Sequence, residues 1–333
     1  MSKKSKKESS VKSSIIVLLL IAILLIASTY AWFTANKTVS ISTLNVKVEA
    51  QNGLQISADG SNWKGVLSNT DLTTGYGTDT NQIPTMVEPV STIGEVVDGK
   101  MKMYYGKVGK DSAGDYALSA TAEPTETKGT SGKYIAFDVF LKVDADTNIT
   151  LSSNSNVIPK EGTTDRGLQN AARVAFLHEG NAVATAGTAA FQALNGAISF
   201  GSAGATTFIW EPNSDVHTDK AVIVAKDTYG ITTSEAGATP IEYYGVKQAI
   251  SSDSPIKLVN TNNGNDTTNF TKMTGVKTTQ KVMTDQADFL TLKAGVSKIR
   301  IYMWVEGQDV DCENSASGSD ISFNVEFVAQ DNT

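Results

Sequence analysis

The segment Tyr134–Asp144, Y-I-A-F-D-V-F-L-K-V-D, alternates between two kinds of side chain along its whole length. Its regularly spaced apolar residues are Ile135, Phe137, Val139, Leu141 and Val143. Successive side chains of a β-strand point to opposite faces, so this strand has one apolar face. The same alternation recurs in Ile299–Val305 and in Ile321–Ala329. The pattern predicts an all-β fold in which each strand turns one face to the core.

Shorter apolar runs predict further strands, and turn signals separate them. The runs are Ile149–Leu151, Val174–Leu177, Phe208–Trp210, Ala221–Ala225 and Ile256–Val259. The turn dipeptides are Asn52-Gly53, Asp59-Gly60, Asp98-Gly99, Asn195-Gly196 and Asn263-Gly264. We expect little helix; Gly167–Arg173 either forms a short helix or leads into the next strand. Residues 44–333 are therefore predicted to form a β-sandwich or jelly roll with long irregular loops, including exposed excursions near residues 180–206 and 260–270.

The N-terminus has the pattern of an export signal. Five lysines precede the unbroken apolar run Ile15–Ala27. With a cut after Ala31, the small residues Thr29 and Ala31 occupy positions −3 and −1, and Trp32 becomes the first residue. The alternative is an uncleaved anchor helix that extends through Phe33. In both cases the lysines stay cytoplasmic and the remaining chain is exported.

Composition narrows the possible functions. The 333 residues carry a net charge of −7, and removal of residues 1–31, with five lysines and one glutamate, leaves −11. This acidity, without a downstream basic patch, disfavours nucleic-acid binding. Cys312 is the only cysteine, so no internal disulfide can form. His178 and His217 are the only histidines, which limits acid–base and zinc chemistry.

The first strand after the predicted signal changes phase. Val39 and Ile41 occupy odd positions, whereas Leu44, Val46 and Val48 occupy even ones. A shift of one residue sends all later side chains to the opposite face. Either a bulge lies at Ser42-Thr43, or two separate strands meet there. In the second case residues 32–43 form an N-terminal arm that carries Trp32, Phe33, Val39 and Ile41; alternatively, the arm folds back as the first strand of its own sandwich.

The junction resembles that of the TasA/camelysin family of exported bacterial fibre and biofilm-matrix proteins. The residues that carry the resemblance are Thr29-Tyr30-Ala31-Trp32-Phe33, followed by Ser42-Thr43-Leu44-Asn45-Val46. Ser42 replaces the usual Gly, and Asn45 replaces the usual Asp. The match covers about the first fifty residues.

The resemblance implies a jelly-roll domain, cleavage by a dedicated signal peptidase and polymerisation by donor-strand exchange. An extended apolar arm can satisfy the open edge of a neighbour's sheet by strand addition. We therefore expect a secreted structural subunit of the cell surface or matrix. Its expected partners are copies of itself, the signal peptidase and accessory matrix proteins, with membrane contact only through the N-terminal segment. The second hypothesis is an adhesin or glycan-binding surface protein, either secreted or held by an uncleaved helix.

Catalytic motifs are incomplete. His178-Glu179-Gly180-Asn181-Ala182 begins like the zinc-peptidase pattern H-E-x-x-H, but Ala182 stands where the second histidine is needed. There is no Gly-x-Ser-x-Gly elbow, and no histidine lies near Cys312 in the sequence. We expect no catalytic residues and no enzyme; a secreted metallopeptidase is the third hypothesis.

The segment from Glu306 to Asn314 is unusually acidic. Its carboxylates are the candidate calcium ligands Glu306, Asp309, Asp311 and Glu313. Alternating acidic residues near a glycine can wrap a calcium ion, although their spacing is not that of an EF-hand. The simpler interpretation is a solvated acidic loop between two strands. Apart from this calcium site, we expect no cofactor.

Overall fold

A computed structural model describes residue 32 and residues 38–49, 53–198, 207–231, 241, 244–272, 276–278 and 290–330. The predicted signal segment 1–31 lies outside these residues. Within the described ranges, no helix is long and apolar enough to cross a membrane.

Of the residues that the structure describes, 44% lie in strands and 14% in helices, so the fold is mostly β, as the sequence predicts. The strands are β1 (Val39–Glu49), β2 (Gln55–Ser57), β3 (Val66–Leu67), β4 (Met86–Val87), β5 (Val90–Ser91), β6 (Val96–Val97), β7 (Lys100–Met101), β8 (Tyr104–Lys110), β9 (Tyr116–Ala122), β10 (Ile135–Val143), β11 (Thr147–Leu151), β12 (Asn156–Pro159), β13 (Ala172–Ala182), β14 (Thr207–Glu211), β15 (Tyr244–Val246), β16 (Ile256–Lys257), β17 (Phe270–Lys272), β18 (Val276–Thr278), β19 (Leu290–Leu292), β20 (Gly295–Val305) and β21 (Asp320–Ala329). The helices are α1 (Asn69–Thr74), α2 (Thr188–Gln192) and α3 (Asp219–Tyr229), with 3-10 turns at Leu168–Ala171, Ala184–Ala186, Leu258–Asn260 and Asn314–Ala316.

Two sheets share the main core. One has seven strands in the order β19-β11-β21-β1-β3, with β12 also paired to β21 and β4 to β1. The other has six strands in the order β18-β14-β13-β20-β10-β2. The apolar faces predicted for β10, β20 and β21 meet in one buried cluster that includes Phe137, Ile301 and Phe323. Smaller sheets pair β16-β9-β8-β5, β15-β17 and β6-β7.

The outer face of the six-stranded sheet is also covered, which the alternation did not predict. Asp138 and Arg300 lie on this face and are 2% and 0% exposed. Trp304 is buried there among apolar residues that include Val90 and Met103 from the segments around β5 and β8. These strands are expected to have one buried face and one exposed face, but their charged side chains are buried as well. Buried charged groups must pair with one another.

β1 is one continuous strand with a bulge. Its parallel pairing with β21 shifts register between Ile41 and Thr43, at the position where the sequence changes phase. Of the two alternatives, the structure therefore has the bulge rather than two strands. Val39 and Ile41 belong to the same strand as Leu44. Ile41 pairs with Ile321 of the C-terminal strand, and Val39 pairs with Val87 of β4, so both lie against their own chain.

The strand predicted at Ala221–Ala225 is wrong, because these residues lie in α3. Thr218 caps this helix by accepting a hydrogen bond from the main-chain N–H of Ala221. Gly230 ends the helix in a left-handed conformation with φ 68°. Ala221, Val224 and Ala225 are buried at helical spacing, so tertiary burial and capping outweigh the β propensity of the valines.

Two shorter segments differ from their predicted form only in part. Residues 167–173 contain both alternatives, a 3-10 turn at Leu168–Ala171 and the start of β13. The predicted strand Ile256–Val259 is limited to Ile256–Lys257, after which the chain enters a 3-10 turn.

Candidate functional site

Trp32, the residue predicted to follow the cleavage site, lies in a pocket of its own chain. It is 1% exposed and among the largest fully buried side chains. Its backbone takes a left-handed conformation with φ 66°, which is unfavourable for a bulky residue. The packing of the indole must therefore outweigh this strain.

The polar end of the pocket is Gln308, whose orientation is fixed. The indole Nε1–H of Trp32 donates to Gln308 Oε1 at 2.8 Å. Gln308 Nε2 donates to the carbonyl oxygens of Tyr244 at 2.9 Å and Thr261 at 3.0 Å. Because the amide nitrogen faces two acceptors, the amide oxygen must face the indole. Gln308 is thus a prearranged acceptor for one N–H group.

Two glycines form walls against the indole ring. A Cβ atom at Gly106 would lie 2.7 Å from Cζ3 of Trp32, and one at Gly307 would lie 2.4 Å from the same atom. Neither glycine has a positive φ, so backbone conformation does not require glycine at these positions. The missing side chains instead make room for the ring. We call the cavity formed by Gly106, Gly307 and Gln308 the indole pocket.

The indole pocket belongs to a second apolar cluster, separate from the core between the two large sheets. This cluster is formed by β8, β9, α3 and the small sheet β15-β17. Its buried members besides Trp32 are Tyr104, Leu118, Ala120, Ala221, Val224, Ala225, Tyr229, Ile241, Val246, Ile250, Leu258, Phe270 and Val310. Trp32 thus connects the N-terminus to a subsidiary layer of the molecule.

The single cysteine contacts the main chain of Trp32. The main-chain N–H of Trp32 donates to the Cys312 sulfur, and Cys312 is 0% exposed. Burial raises the pKa of the thiol well above its ordinary value, which makes it unreactive. Reactivity of Cys312 can therefore report whether Trp32 is docked.

The acidic segment after β20 is buried rather than solvated, so the simpler interpretation from the sequence is wrong. Glu306, Asp311 and Glu313 are each no more than 1% exposed. Asp309 accepts a hydrogen bond from Arg173 Nη2, while Arg173 Nε donates to Glu211 at 2.9 Å. This buried ion pair ties the segment to β13.

The other carboxylates of the segment have separate partners. Asp311 accepts from the main-chain N–H of Thr218 at 3.0 Å and lies 2.7 Å from His217 Nδ1. Burial raises the pKa of Asp311. Glu313 accepts from the main-chain N–H of Ser315 at 2.7 Å. Among the described residues, no three His, Cys, Asp or Glu side chains are grouped to hold a metal ion, so the candidate calcium ligands are not brought together.

Glu306 lies directly before the indole pocket. It accepts hydrogen bonds from Trp304 Nε1 and from the main-chain N–H of Gln308, both at 3.1 Å. Complete burial raises its pKa to about 7. The folded chain therefore favours the protonated carboxyl, whereas the unfolded chain titrates at the ordinary value.

Stability is expected to fall as pH rises through about 7, because the buried Glu306 must then lose its proton. This contribution is fully present below the ordinary glutamate pKa, and its loss amounts to roughly 3 kcal/mol in the free energy of unfolding. Glu306→Gln, which does not titrate, should flatten the slope between about pH 5 and pH 8. The free energy of unfolding is measured by urea titration at each pH, and the exposed Glu95→Gln is the control. Equal slopes in Glu306→Gln and the wild-type chain would contradict the assignment.

The sequence-predicted arm residues are only partly brought together. Trp32 fills the indole pocket, whereas Val39 is buried in the main core and Ile41 packs against that core. The arm is thus folded back onto its own chain at these three residues. Phe33 and the cleavage residues Thr29 and Ala31 lie outside the described residues.

The incomplete zinc motif lies on a strand rather than a helix. His178 and Glu179 are on β13, where a register shift occurs between His178 and Gly180. Burial lowers the pKa of His178. His217 instead contacts Asp311, so the structure does not pair the two histidines at a common ligand.

An open cleft of about 750 Å³ lies beside the N-terminus of α3. Its lining is dominated by polar and charged side chains, including Arg166, His217 and Lys220. These side chains supply hydrogen-bonding groups but identify no ligand, so the glycan-binding hypothesis stays a prediction from the sequence.

Sequence reasoning missed most of the indole pocket. Gln308 stands inside the acidic segment that the sequence singles out, but it was not itself a candidate. Gly106 follows two tyrosines in an ordinary strand, and nothing in the sequence connects it to Trp32. Thr261 lies in a segment predicted to be an exposed excursion, yet it is 0% exposed and orients Gln308.

Comparisons with protein-family models, with curated proteins and with solved structures found no match for this chain. The resemblance at the junction therefore stays a prediction from the sequence.

Proposed function

We propose that this chain is an exported structural subunit of a bacterial surface or biofilm-matrix fibre. Subunits join head to tail when the N-terminal segment carrying Trp32, Val39 and Ile41 leaves its own chain and docks in the same way on a neighbour. The β domain has a jelly-roll topology, and residues 1–31 direct export to the cell surface or matrix. The chain has no catalytic role.

The observation that carries this proposal is the indole pocket. Trp32 occupies a cavity built from two glycines and an oriented glutamine, and residues 33–37 and Thr38 separate it from β1. A contact made within one chain can be made between two chains without any new surface, as in domain swapping. The pocket supplies the specificity for a terminal tryptophan, whichever copy provides it.

Two features of β1 support exchange. The bulge between Ile41 and Thr43 separates the outer part of the strand from Leu44–Val48. On the edge away from β21, the described strands β4 and β3 pair with Val39–Ser40 and Val46–Lys47, and Ile41 and Val48 donate main-chain hydrogen bonds to Thr85 and Gly65, so this pairing has a gap between Ile41 and Val46. An incompletely covered edge is a place where another chain can add a strand.

The energetics favour a docked arm over a solvated one. Full burial of a large apolar side chain stabilises by about 1.5–3 kcal/mol, and the indole N–H gains a fixed acceptor. When the local concentration of subunits is high, Trp32 gains the same free energy by docking into the pocket of a neighbouring subunit. Removal of residues 1–31 would release Trp32 as a terminus and so control assembly.

A complementation experiment tests exchange between chains that begin at Trp32. Gly106→Val keeps the arm but fills the indole pocket, whereas Trp32→Ala keeps the pocket but lacks the indole. We expect neither variant alone to form filaments by electron microscopy. Their mixture should form heterodimers, measurable by light scattering after chromatography, because only one arm and one pocket remain compatible.

Gly109→Val is the matched control. Gly109 lies in the same strand as Gly106, and a Cβ atom there would meet nothing within 4 Å. This variant should form filaments like the wild-type chain. Filaments of normal length from either Trp32→Ala or Gly106→Val alone would refute the proposal.

A further inference from the structure

Three buried charged groups meet on neighbouring strands, away from the indole pocket. Lys298 Nζ on β20 lies 2.8 Å from Glu179 Oε2 on β13 and 3.3 Å from Asp138 Oδ2 on β10. The side chains of Lys298, Glu179 and Asp138 are 7%, 0% and 2% exposed. An amine therefore lies between two carboxyl groups with almost no access to bulk water.

A bulge brings Glu179 to this position. The pairing of β13 with β20 runs from His178 opposite Ile299 directly to Gly180 opposite Lys298. Glu179 is the extra residue, and bulges commonly re-aim a side chain next to a reactive site. Neither carboxylate oxygen of Glu179 has a geometrically good hydrogen bond within the part of the chain that the structure describes.

The surroundings exclude water from the group. Lys298 Nζ donates to the carbonyl oxygen of Leu194 at 2.9 Å, so the segment after α2 lies over it. The Lys298 ammonium also lies 5.8 Å from the ring centroid of Tyr76. Tyr76 packs in an apolar cluster with Phe140 and Phe191. Reacting groups held in contact in a dry site have very high effective concentrations.

The two carboxyl groups differ in protonation. Burial, together with the nearby Asp138 carboxylate, raises the pKa of Glu179 to about 7. Burial would also raise the pKa of Asp138, but Arg300 and Lys298 hold it at about 2. Arg300 Nη1 and the Tyr76 hydroxyl donate to Asp138 at 2.6 and 2.5 Å. Glu179 is therefore the carboxyl group that is more readily neutral and open to attack, whereas Asp138 stays ionised beside the Lys298 ammonium.

We propose that Lys298 and Glu179 form an intramolecular amide bond that joins β13 to β20. Asp138 takes one proton from the Lys298 ammonium, and the neutral amine attacks the carboxyl carbon of Glu179. The Nζ–Cδ bond forms and one Cδ–O bond breaks. One water molecule leaves, and Asp138 then releases its proton to solvent. The step requires no oxidant, metal or cofactor.

Such an amide bond would be an internal covalent cross-link in a chain that cannot form an internal disulfide. A single cysteine cannot form a disulfide within one chain. A cross-link between residues far apart in sequence stabilises chiefly by restricting the unfolded chain. The bond lies within the six-stranded sheet, so it would strengthen the domain whether or not the subunits polymerise.

Peptide mapping of the denatured full-length chain tests the bond directly. After trypsin, we expect one branched peptide in which residues 174–220 are joined to residues 294–300, lighter than the two peptides together by one water molecule. Lys298→Arg should abolish the branch. Lys293→Arg should retain it, because Lys293 pairs with Asp146 in the open, with 67% and 56% of the two side chains exposed.

Separate, unmodified peptides from the wild-type chain would overturn the proposal. Loss of water without a branch would also overturn it, since an aspartyl succinimide loses water within one peptide. A branch that joins residues 294–300 to residues 134–142, which contain Asp138, would overturn the assignment of Glu179. The result is read on denatured wild-type protein, so it does not depend on whether a variant folds.

Discussion

Replacing Gly106 by valine should drive Trp32 out of the indole pocket and expose the Cys312 thiol. The first carbon of the new side chain would lie 2.7 Å from the indole ring, closer than carbon atoms approach without a shift. Loss of a buried tryptophan contact is worth about 3–5 kcal/mol. Thiol labelling of Cys312 should therefore become about 100-fold faster or more.

The increase in labelling rate caused by Gly106→Val should depend on the presence of Trp32. A double-mutant cycle measures this dependence. Trp32→Ala alone should also accelerate labelling, because without the docked indole the main chain of residue 32 is no longer held against Cys312. In the Trp32→Ala chain, Gly106→Val should have little further effect, since valine then occupies space left by the indole. Valine is well suited to a β-strand, so no general loss of fold is expected.

Gly109→Val serves as the control in β8, because its side chain would meet nothing within 4 Å. It should leave the labelling rate unchanged. If Gly106→Val and Gly109→Val label at the same rate, Trp32 does not occupy the indole pocket in solution. The assignment of the pocket would then fail independently of any result on filaments.

Arg173→Met should lower the free energy of unfolding by about 3–5 kcal/mol. Arg173 is 1% exposed and holds both Glu211 and Asp309. It also donates to the carbonyl oxygens of Asn170 and Ala172 at 3.0 and 2.9 Å. Methionine preserves much of the volume but leaves two buried carboxylates without their cation. The measurement is the urea midpoint of unfolding at neutral pH.

The matched control is Lys293→Met at the exposed pair with Asp146. Its N–O distance is 2.7 Å, similar to that of the Arg173–Glu211 pair, but both side chains are more than half exposed. Exposed ion pairs contribute only about 0–1 kcal/mol. If the two variants lose the same free energy of unfolding, burial does not determine the strength of the Arg173 contacts.

The ion pair between Arg173 and Asp309 also affects the indole pocket. Asp309 follows Gln308 directly, so the ion pair anchors the segment that presents the acceptor to Trp32. We therefore expect Arg173→Met to accelerate Cys312 labelling as well. This coupling links the stability of β13 to docking of the N-terminus.

Local pattern was enough to identify the strands with one apolar face. Ile135, Phe137 and Val139 alternate along β10, and all three are buried as their spacing predicts. The phase change before Leu44 gave the position of the irregularity in β1 but left a bulge and two separate strands as alternatives, because either one reverses the faces of the later residues. Ala221–Ala225 was misread because a short run of small and branched residues fits a strand as well as a capped helix.

The sequence by itself determined the all-β class, the alternation of the core strands and the position of the phase change in β1, since each depends on neighbours within a few residues. Only the tertiary structure decided that the outer face of the six-stranded sheet is covered, so that Asp138, Glu179 and Lys298 meet without water. It also decided that Gly106, Gly307 and Gln308 enclose Trp32. These contacts join residues far apart in the chain, and no local periodicity records which distant segments will meet.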